Sequence, residues 1–329
     1  MVLVTGAAGH VGNVLIRELL KKRYQVRALV LPGEDLSALH KLNVELVEGD
    51  VLDSETLDEA MRDVDMVFHL AGIISILPGQ NQLMRMVNVQ GTKNVLAAAK
   101  KAGVRRLVYT SSIHALSRDW KGKISEETPF DPHNPAGEYD RTKAEASLAV
   151  LEAARNGLDA LIVCPTGIIG PHDYRGSEMG DLLRDWLRPK PHMLIEGAFD
   201  FVDVRDVARG HILASQRGKS GEVYILSGWQ IKLFELKQMV QDAAGLRTLT
   251  ILVPNWLAKI GCVFTPFYYR LTRQTPKFTS YSLETVQTNS DVSSGKARRD
   301  LGYKPRQLVQ TVRDTVRWWL GKSRKPQSG

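Results

Sequence analysis

Along the first two-thirds of the chain, short apolar runs alternate with stretches whose apolar residues recur at helical spacing. The runs at 2–5, 25–31, 44–48, 65–70, 104–110, 159–164 and 222–226 predict buried strands. Between them, 11–22, 55–62, 82–102, 138–156 and 204–216 predict helices with one apolar face. This alternation predicts a parallel sheet covered on both faces. Beyond residue 170 the regularity fades. Segments 171–200 and 228–290 mix Pro, Gly and aromatic residues, and a last amphipathic helix is predicted near 307–320. The expected fold is α/β: a Rossmann-type, doubly wound parallel sheet of about seven strands with a smaller C-terminal substrate lobe. The expected core is 1–170, rejoined by 201–227, and the expected lobe comprises 171–200 and 228–329.

The first predicted strand runs into Thr5-Gly-Ala-Ala-Gly-His-Val-Gly12, and a helical pattern follows. Three glycines therefore sit where a strand becomes a helix. Glycine permits a positive φ and removes the Cβ that would block a diphosphate. The helix N-terminus offers free N–H groups and the positive end of its dipole. The spacing is G-x-x-G-x-x-G, one residue longer than the usual dinucleotide fingerprint. The strand–turn–helix context still points to a bound dinucleotide.

Composition narrows the setting. A hydrophobic content of 43% supports a full core, and no apolar run reaches the length of a membrane span. The first strand begins at Val2, which leaves no room for a signal peptide. Cys164 and Cys262 show no metal or redox spacing, and the eight histidines form no ligand cluster, so no metal is expected. A reducing cytoplasm suits this chain. From Gly295 onward there are ten Lys or Arg against two Asp, which equals the whole net charge of +8. A solvated helix face and tail is the expected reading of that excess; a basic surface for an anionic substrate, lipid headgroup or nucleic acid is the alternative. No aromatic-interleaved basic stripe points to nucleic acid.

Tyr139 and Lys143 lie four residues apart in a predicted helix and so share one face. A nearby ammonium favours a phenolate and is expected to lower the tyrosine's pKa toward neutrality. Such a tyrosine exchanges protons with a substrate oxygen. The fifth predicted strand ends Leu107-Val-Tyr-Thr-Ser-Ser112, and ligands bind at strand C-termini in such sheets. Adjacent strand side chains point oppositely, so one of Ser111 and Ser112 faces the site. Ser112 is the choice made here, with Ser111 satisfying backbone groups as the alternative.

These motifs stand in the order found in extended short-chain dehydrogenases/reductases. The same order holds for Gly49-Asp50, His69-Leu-Ala-Gly72, Asn88-Val-Gln-Gly-Thr-Lys-Asn94 and Phe201-Val-Asp-Val-Arg-Asp-Val-Ala208. The chain most resembles the branch of dihydroflavonol reductase-like and 3β-hydroxysteroid dehydrogenase-like proteins, near the sugar-nucleotide epimerases. The resemblance spans nearly the whole chain and is weakest at 228–285. It implies that Gly6, Gly9 and Gly12 bind the diphosphate, that Asp50 and Val51 contact the adenine, and that Ala71 and Gly72 line the cofactor groove. Ser112, Tyr139 and Lys143 are the implied catalytic triad, with Lys143 also on the nicotinamide ribose. Pro165, Thr166 and Ile168 are implied against the nicotinamide. Ala8, His10, Val11, Leu31, Leu70, Asn88 and Thr110 complete the expected cofactor surface. For Asn88, bracing its helix is the other reading.

The end of the second strand does not settle the cofactor. An acid there favours NAD and an arginine NADP; Leu31 is neither. Arg27 alternates into the strand, and Glu34 and Asp35 are candidate ribose contacts. The habit of the branch inclines the choice to NADP. The function expected is an NAD(P)-dependent reductase or dehydrogenase acting on a small, ring-bearing carbonyl or alcohol. Phe199, Phe264, Phe267, Tyr268, Tyr269, Phe278 and Tyr281 are candidates for an apolar substrate floor, or for ordinary lobe packing. The alternatives are a nucleotide-sugar epimerase or dehydratase using the same triad, and a non-catalytic dinucleotide sensor. The resemblance implies a homodimer through the helices carrying Asn88 and Tyr139. The segment from Trp256 to Tyr269 is apolar enough to touch a membrane and too short to span one.

Overall fold

The computed structural model describes residues 1–74, 81–260, 283–285 and 290–323. Its strands, in chain order, are β1 (Val2–Thr5), β2 (Val26–Val30), β3 (Glu45–Glu48), β4 (Met66–His69), β5 (Arg106–Thr110) and β6 (Ala160–Pro165). They continue with β7 (Gly167–Ile169), β8 (His192–Ile195), β9 (Ala198–Asp203), β10 (Val223–Leu226), β11 (Trp229–Lys232) and β12 (Thr250–Val253). Seven of them form one sheet in the order β10-β6-β5-β4-β1-β2-β3. Every pairing in it is parallel, with Val4 beside both Ala28 and Phe68. The strands build outward from β1 in both directions, so the order reverses between β1 and β4.

Alternation along each strand feeds two apolar layers. Leu3, Leu107 and Ile162 point to the layer containing Leu57, Val95 and Val150. These come from helices α2 (Ser54–Ala60), α4 (Thr92–Lys101) and α5 (Glu138–Arg155). Val4, Phe68 and Val108 point to the opposite layer, with Leu15, Ile16 and Ile212. Those belong to α1 (His10–Lys21) and α7 (Val204–Arg217). Residues 297–303 join the second layer through Ala297, Leu301 and Tyr303, although they fall in the range expected for the lobe. The Tyr303 hydroxyl ties them down by donating to the Ser227 carbonyl at 3.1 Å.

The helix predicted over 82–102 is divided. A short helix α3 (Asn81–Arg85) and α4 flank a π-helical turn at Met86–Gly91. Such a turn adds a residue to the helical circuit and redirects its side chains. Here it turns Asn88 inward, and the Thr92 hydroxyl donates to the Asn88 carbonyl at 2.6 Å. Gly91 is required at its end, because a Cβ there would lie 2.6 Å from Val51 Cγ2.

Two small sheets, β11-β9-β7 and β12-β8, lie outside the large one. Helices α6 (Glu178–Trp186), α8 (Leu233–Ala244) and α9 (Leu308–Ser323) accompany them. Their core joins Leu183, Trp186, Leu236, Val240 and Val312 to the first apolar layer. Part of the basic excess is paired with acids: Arg306 with Asp206 at 2.9 Å and Lys296 with Glu222 at 2.5 Å. Among the described residues no helix is long and apolar enough to cross a membrane.

The turn after β1 is packed too closely to admit a side chain at its last glycine. A Cβ on Gly12 would lie 2.2 Å from the Gly6 carbonyl oxygen. Gly12→Ala is therefore expected to lower stability in urea titrations by about 1–3 kcal/mol. A change within about 0.5 kcal/mol would show that the turn relaxes freely.

Candidate active site

Because all seven strands run the same way, their C-termini share one edge. A crevice opens there, where the strand order reverses. The glycine turn lies in it. Gly6 takes a φ of +65°, and a Cβ on it would meet the Ala71 backbone nitrogen at 2.7 Å. The turn thus presses directly on the Leu70–Ala71 backbone. Gly9 caps α1 and contributes no side-chain bond, so the first N–H groups of the helix keep their anion-binding capacity. A bare turn leading into an uncapped helix fits a diphosphate. Ala8 is buried, and Val11 and His10 are half-buried beside it.

Asn13, missed by sequence reasoning, stitches this turn. Its amide donates to the carbonyls of Gly9 (2.8 Å), His10 (3.1 Å) and His172 (3.2 Å). His10 pairs through Nε2 with the Pro171 carbonyl at 3.1 Å, and burial lowers its pKa. The loop 171–177 is thereby fixed to α1.

At the end of β2, the Leu31 N–H donates to Glu34 Oε2 at 3.0 Å. The other oxygen of Glu34 meets Arg175 at 2.5 Å. Arg27 turns away from this edge. It bonds Glu45 at 2.9 Å and the carbonyls of Ala60 and Arg62 at 2.8 and 2.7 Å. After β3, Asp50 accepts from the Leu52 N–H at 2.9 Å, and buried Val51 receives the Asn94 amide on its carbonyl at 3.0 Å.

A buried relay links the cofactor edge to the helix before β5. Thr92 donates to Asn88, so it accepts from His69 Nε2–H at 3.0 Å. His69 Nδ1 then accepts from the Thr5 hydroxyl at 2.7 Å. The Thr5 oxygen in turn accepts the N–H groups of Leu70 (3.2 Å) and Ala71 (3.1 Å). Burial and the nearby Lys143 push the His69 pKa down to about 3, which keeps the imidazole neutral. Asn88 completes the relay. It accepts the Ile73 N–H at 2.7 Å and donates to the Ile73 carbonyl (3.0 Å) and to Thr142 Oγ1 (3.1 Å). Its amide therefore braces the β4 exit against α5, and Gly72 passes close beside it.

Across the crevice stand the catalytic candidates. Lys143 is buried, and its ammonium donates to the Thr110 carbonyl at 2.5 Å while lying 4.4 Å from the Tyr109 ring centre. Burial lowers its pKa to about 7. The Thr110 hydroxyl is held by His211 at 2.7 Å. Ser111 bonds the Ser147 hydroxyl at 2.7 Å, and Ser147 donates to the Lys143 carbonyl at 2.6 Å. Ser111 therefore locks α5 to β5. Ser112 points the other way, where its hydroxyl favours the phenolate of Tyr139. Tyr139 nonetheless has a raised pKa, because burial outweighs Ser112. The lowering expected from Tyr–Lys spacing alone is not what this arrangement produces.

Two further residues, His114 and Glu178, act on Tyr139, and Phe199 backs the first of them. His114 stacks on Phe199 at 5.8 Å and 12°, and meets the Tyr139 ring edge-on at 6.3 Å. Glu178, at the start of α6, adds negative potential to the phenol. Only Phe199 among these was a sequence candidate. Phe264, Phe267, Tyr268, Tyr269, Phe278 and Tyr281 lie outside the described residues. Pro165 ends β6, the Thr166 hydroxyl donates to Asp200 at 2.6 Å, and Ile168 follows half-buried in β7.

The model of the NAD dependent epimerase/dehydratase family matches residues 2–227. The chain belongs to that family. Over 96% of its length it is 34% identical to the sterol demethylase protein B of Methylococcus capsulatus, covering 97% of that relative. It is 30% identical to the 3 beta-hydroxysteroid dehydrogenase/Delta 5-->4-isomerase of Mycobacterium tuberculosis, over 92% of this chain and 86% of the relative. The crystal structure of gox2253 superposes with a TM-score of 0.81 at 34% identity, covering 98% of this chain and 99% of that one. The NAD-bound dTDP-glucose 4,6-dehydratase of Streptomyces venezuelae shares the fold, with a TM-score of 0.79 at 23% identity and 97% of each chain covered. The family's Rossmann-type sheet is the one expected from the sequence.

The buried ammonium has a measurable consequence. The unfolded lysine keeps its proton up to 10.5, whereas the folded one releases it near about 7. The unfolded state therefore binds more protons between those values, and stability rises with pH across that window. Without dinucleotide, the wild type should gain on the order of 2 kcal/mol between about pH 7 and about pH 9 relative to Lys143→Met, in parallel urea titrations. Identical slopes for both proteins would mean that Lys143 titrates as an exposed lysine.

Proposed function

We propose that this protein is an NAD(P)-dependent oxidoreductase that interconverts a carbonyl and a secondary alcohol on a small, ring-bearing substrate. One observation carries the reading. Ser112, Tyr139 and Lys143 converge at the C-terminal end of β5, on the same sheet edge as the bare glycine turn. The dinucleotide, when bound, supplies or accepts the hydride. Tyr139 gives the substrate oxygen its proton in reduction and takes it back in oxidation. Burial holds the phenol protonated, which suits the reducing direction. Ser112 aligns the oxygen, and Lys143 supports the phenolate that remains. Gly6, Ala8, Gly9, His10, Val11 and Gly12 hold the diphosphate. Leu31, Asp50 and Val51 border the adenosine, and Leu70, Ala71, Gly72 and Thr110 line the groove. Pro165, Thr166 and Ile168 back the nicotinamide, and Asn88 acts on the site through its brace.

The ring-bearing substrate follows from the stacked His114 and Phe199 beside Tyr139. The sterol and hydroxysteroid names of the relatives point the same way. For the cofactor, the carboxylate of Glu34 on the Leu31 N–H favours ribose hydroxyls and repels a 2′-phosphate. That charge argues for NAD, against the inclination of the branch. A homodimer fits the exposed Leu83, Met86 and Leu148 on the α3–α5 face. The cytoplasm remains the compartment proposed.

A panel of ring ketones and alcohols, assayed with both dinucleotides by nicotinamide absorbance, tests the activity. Tyr139→Phe should lower turnover about a hundredfold or more while leaving dinucleotide affinity within about twofold. Unchanged turnover would remove Tyr139 from proton transfer. Glu34→Gln should raise the NADP-to-NAD ratio of kcat/KM about tenfold by removing a charge and releasing Arg175. An unaltered ratio would place cofactor choice elsewhere.

A further inference from the structure

The Lys143 ammonium lies where no acid neutralises it. Among the described residues no carboxylate acts on it. The titratable groups packed around it are Tyr109 of β5, His69 of β4 and Cys164 of β6, with Tyr139 one turn earlier on α5. Burial keeps His69 a neutral imidazole, Cys164 a neutral thiol and both tyrosines protonated phenols. None of them supplies a negative charge. A buried ammonium in that position gives up its proton unless electron-rich groups hold it. One such group is the Thr110 carbonyl, at 2.5 Å.

The other is the ring of Tyr109. Lys143 Nζ sits over that ring, 4.4 Å from its centre. The face of an aromatic ring carries negative potential, and its pull on a cation grows where water is excluded. Tyr109 is fully buried, and the His69 ring, in register beside it on β4, lies 5.5 Å away. Close packing on this scale fixes the ring in place. Tyr109 and Thr110 are successive residues of β5, so one short stretch of strand offers the ammonium both a ring and a carbonyl. We infer that Tyr109 is a positioning residue of the candidate active site, whose ring face holds the Lys143 ammonium charged and seated on the Thr110 carbonyl. Its bearing on turnover rests on the oxidoreductase reading, in which a charged Lys143 supports the Tyr139 phenolate. Its hold on the ammonium does not rest on that reading.

The test follows Lys143 itself, by carbon NMR of the full chain labelled at lysine Cε and free of dinucleotide, with Lys143→Met to assign the resonance. In the wild type this resonance should titrate near about 7. Tyr109→Phe keeps the ring and should leave the midpoint within about 0.3 pH units. Pentafluorophenylalanine at the same position keeps nearly the same volume but reverses the sign of the potential over the ring face. The midpoint should then fall by about one pH unit or more. Tyr109→Leu should move it in the same direction, and it decides the matter where the fluorinated chain lacks a wild-type thermal transition. Equal midpoints for the phenyl and pentafluorophenyl rings overturn the inference. So does a leucine variant that titrates with the wild type. A midpoint that falls as expected, in a protein that turns over no ring ketone or alcohol, supports the inference while removing the redox reading.

Discussion

The constraint on which the site depends is a lysine ammonium buried against a backbone carbonyl. Charged groups avoid such places unless they are bonded and held. Lys143 is both. Its ammonium is anchored on Thr110, whose own hydroxyl is fixed by His211. Its carbonyl is gripped by Ser147, and Ser147 by Ser111. Thr110, which ends β5, and Ser111, which follows it, thus hold one residue of α5 from both its ends. Tyr139 is one turn earlier on the same helix, so whatever positions Lys143 also positions the phenol. Ser112, the next residue after β5 and Ser111, is then left to face it.

The opposite wall of the crevice is secured by a different device. From Thr5 through His69, Thr92 and Asn88 to Thr142, polar side chains run under the β1–β4 edge and reach α5. Each hydrogen has one acceptor, so the direction of every bond is determined. That holds only while His69 is neutral, and burial ensures it is. A buried polar chain with every member satisfied adds rigidity that an apolar filling would not. Here it ties the glycine turn to α5, so the two halves of the site cannot drift independently. The π-turn at Met86–Gly91 serves the same end, since a regular helix would not aim Asn88 at Ile73.

The large sheet was legible because most of its strands are apolar runs, several of them leading into a helix, a pattern set by local composition. The glycine turn was legible for the same reason: Gly6 needs its positive φ, and Gly12 its missing Cβ, within eight residues of one another. Strand alternation showed that one of Ser111 and Ser112 turns toward the site, and it left open which. What escaped depends on contacts between distant segments. Nothing in Met86–Gly91 announces an extra residue in the helix. β11 lacks an apolar run, and β8 and β12 are apolar runs too short to stand out in segments rich in Pro, Gly and aromatic residues. Asn13 and His114 act through partners more than 60 residues away in the chain, His172 and Phe199. Where Arg27 points was legible from alternation; that Glu34 folds back onto the Leu31 N–H was not, since Glu34 and Asp35 stood only as candidate ribose contacts.

The tyrosine is the instructive case. Spacing places an ammonium one turn from a phenol, and in water that neighbour would lower the phenol's pKa. The fold adds a second effect of opposite sign. Desolvation disfavours charge on both groups, raising Tyr139 and lowering Lys143. The free protein therefore keeps the pair close to its uncharged forms, with a protonated phenol and a lysine poised near neutrality. A site in that condition is an acid before it is a base. Two opposed shifts, imposed by the same burial, thus hold the phenol protonated and make the lysine easier to deprotonate.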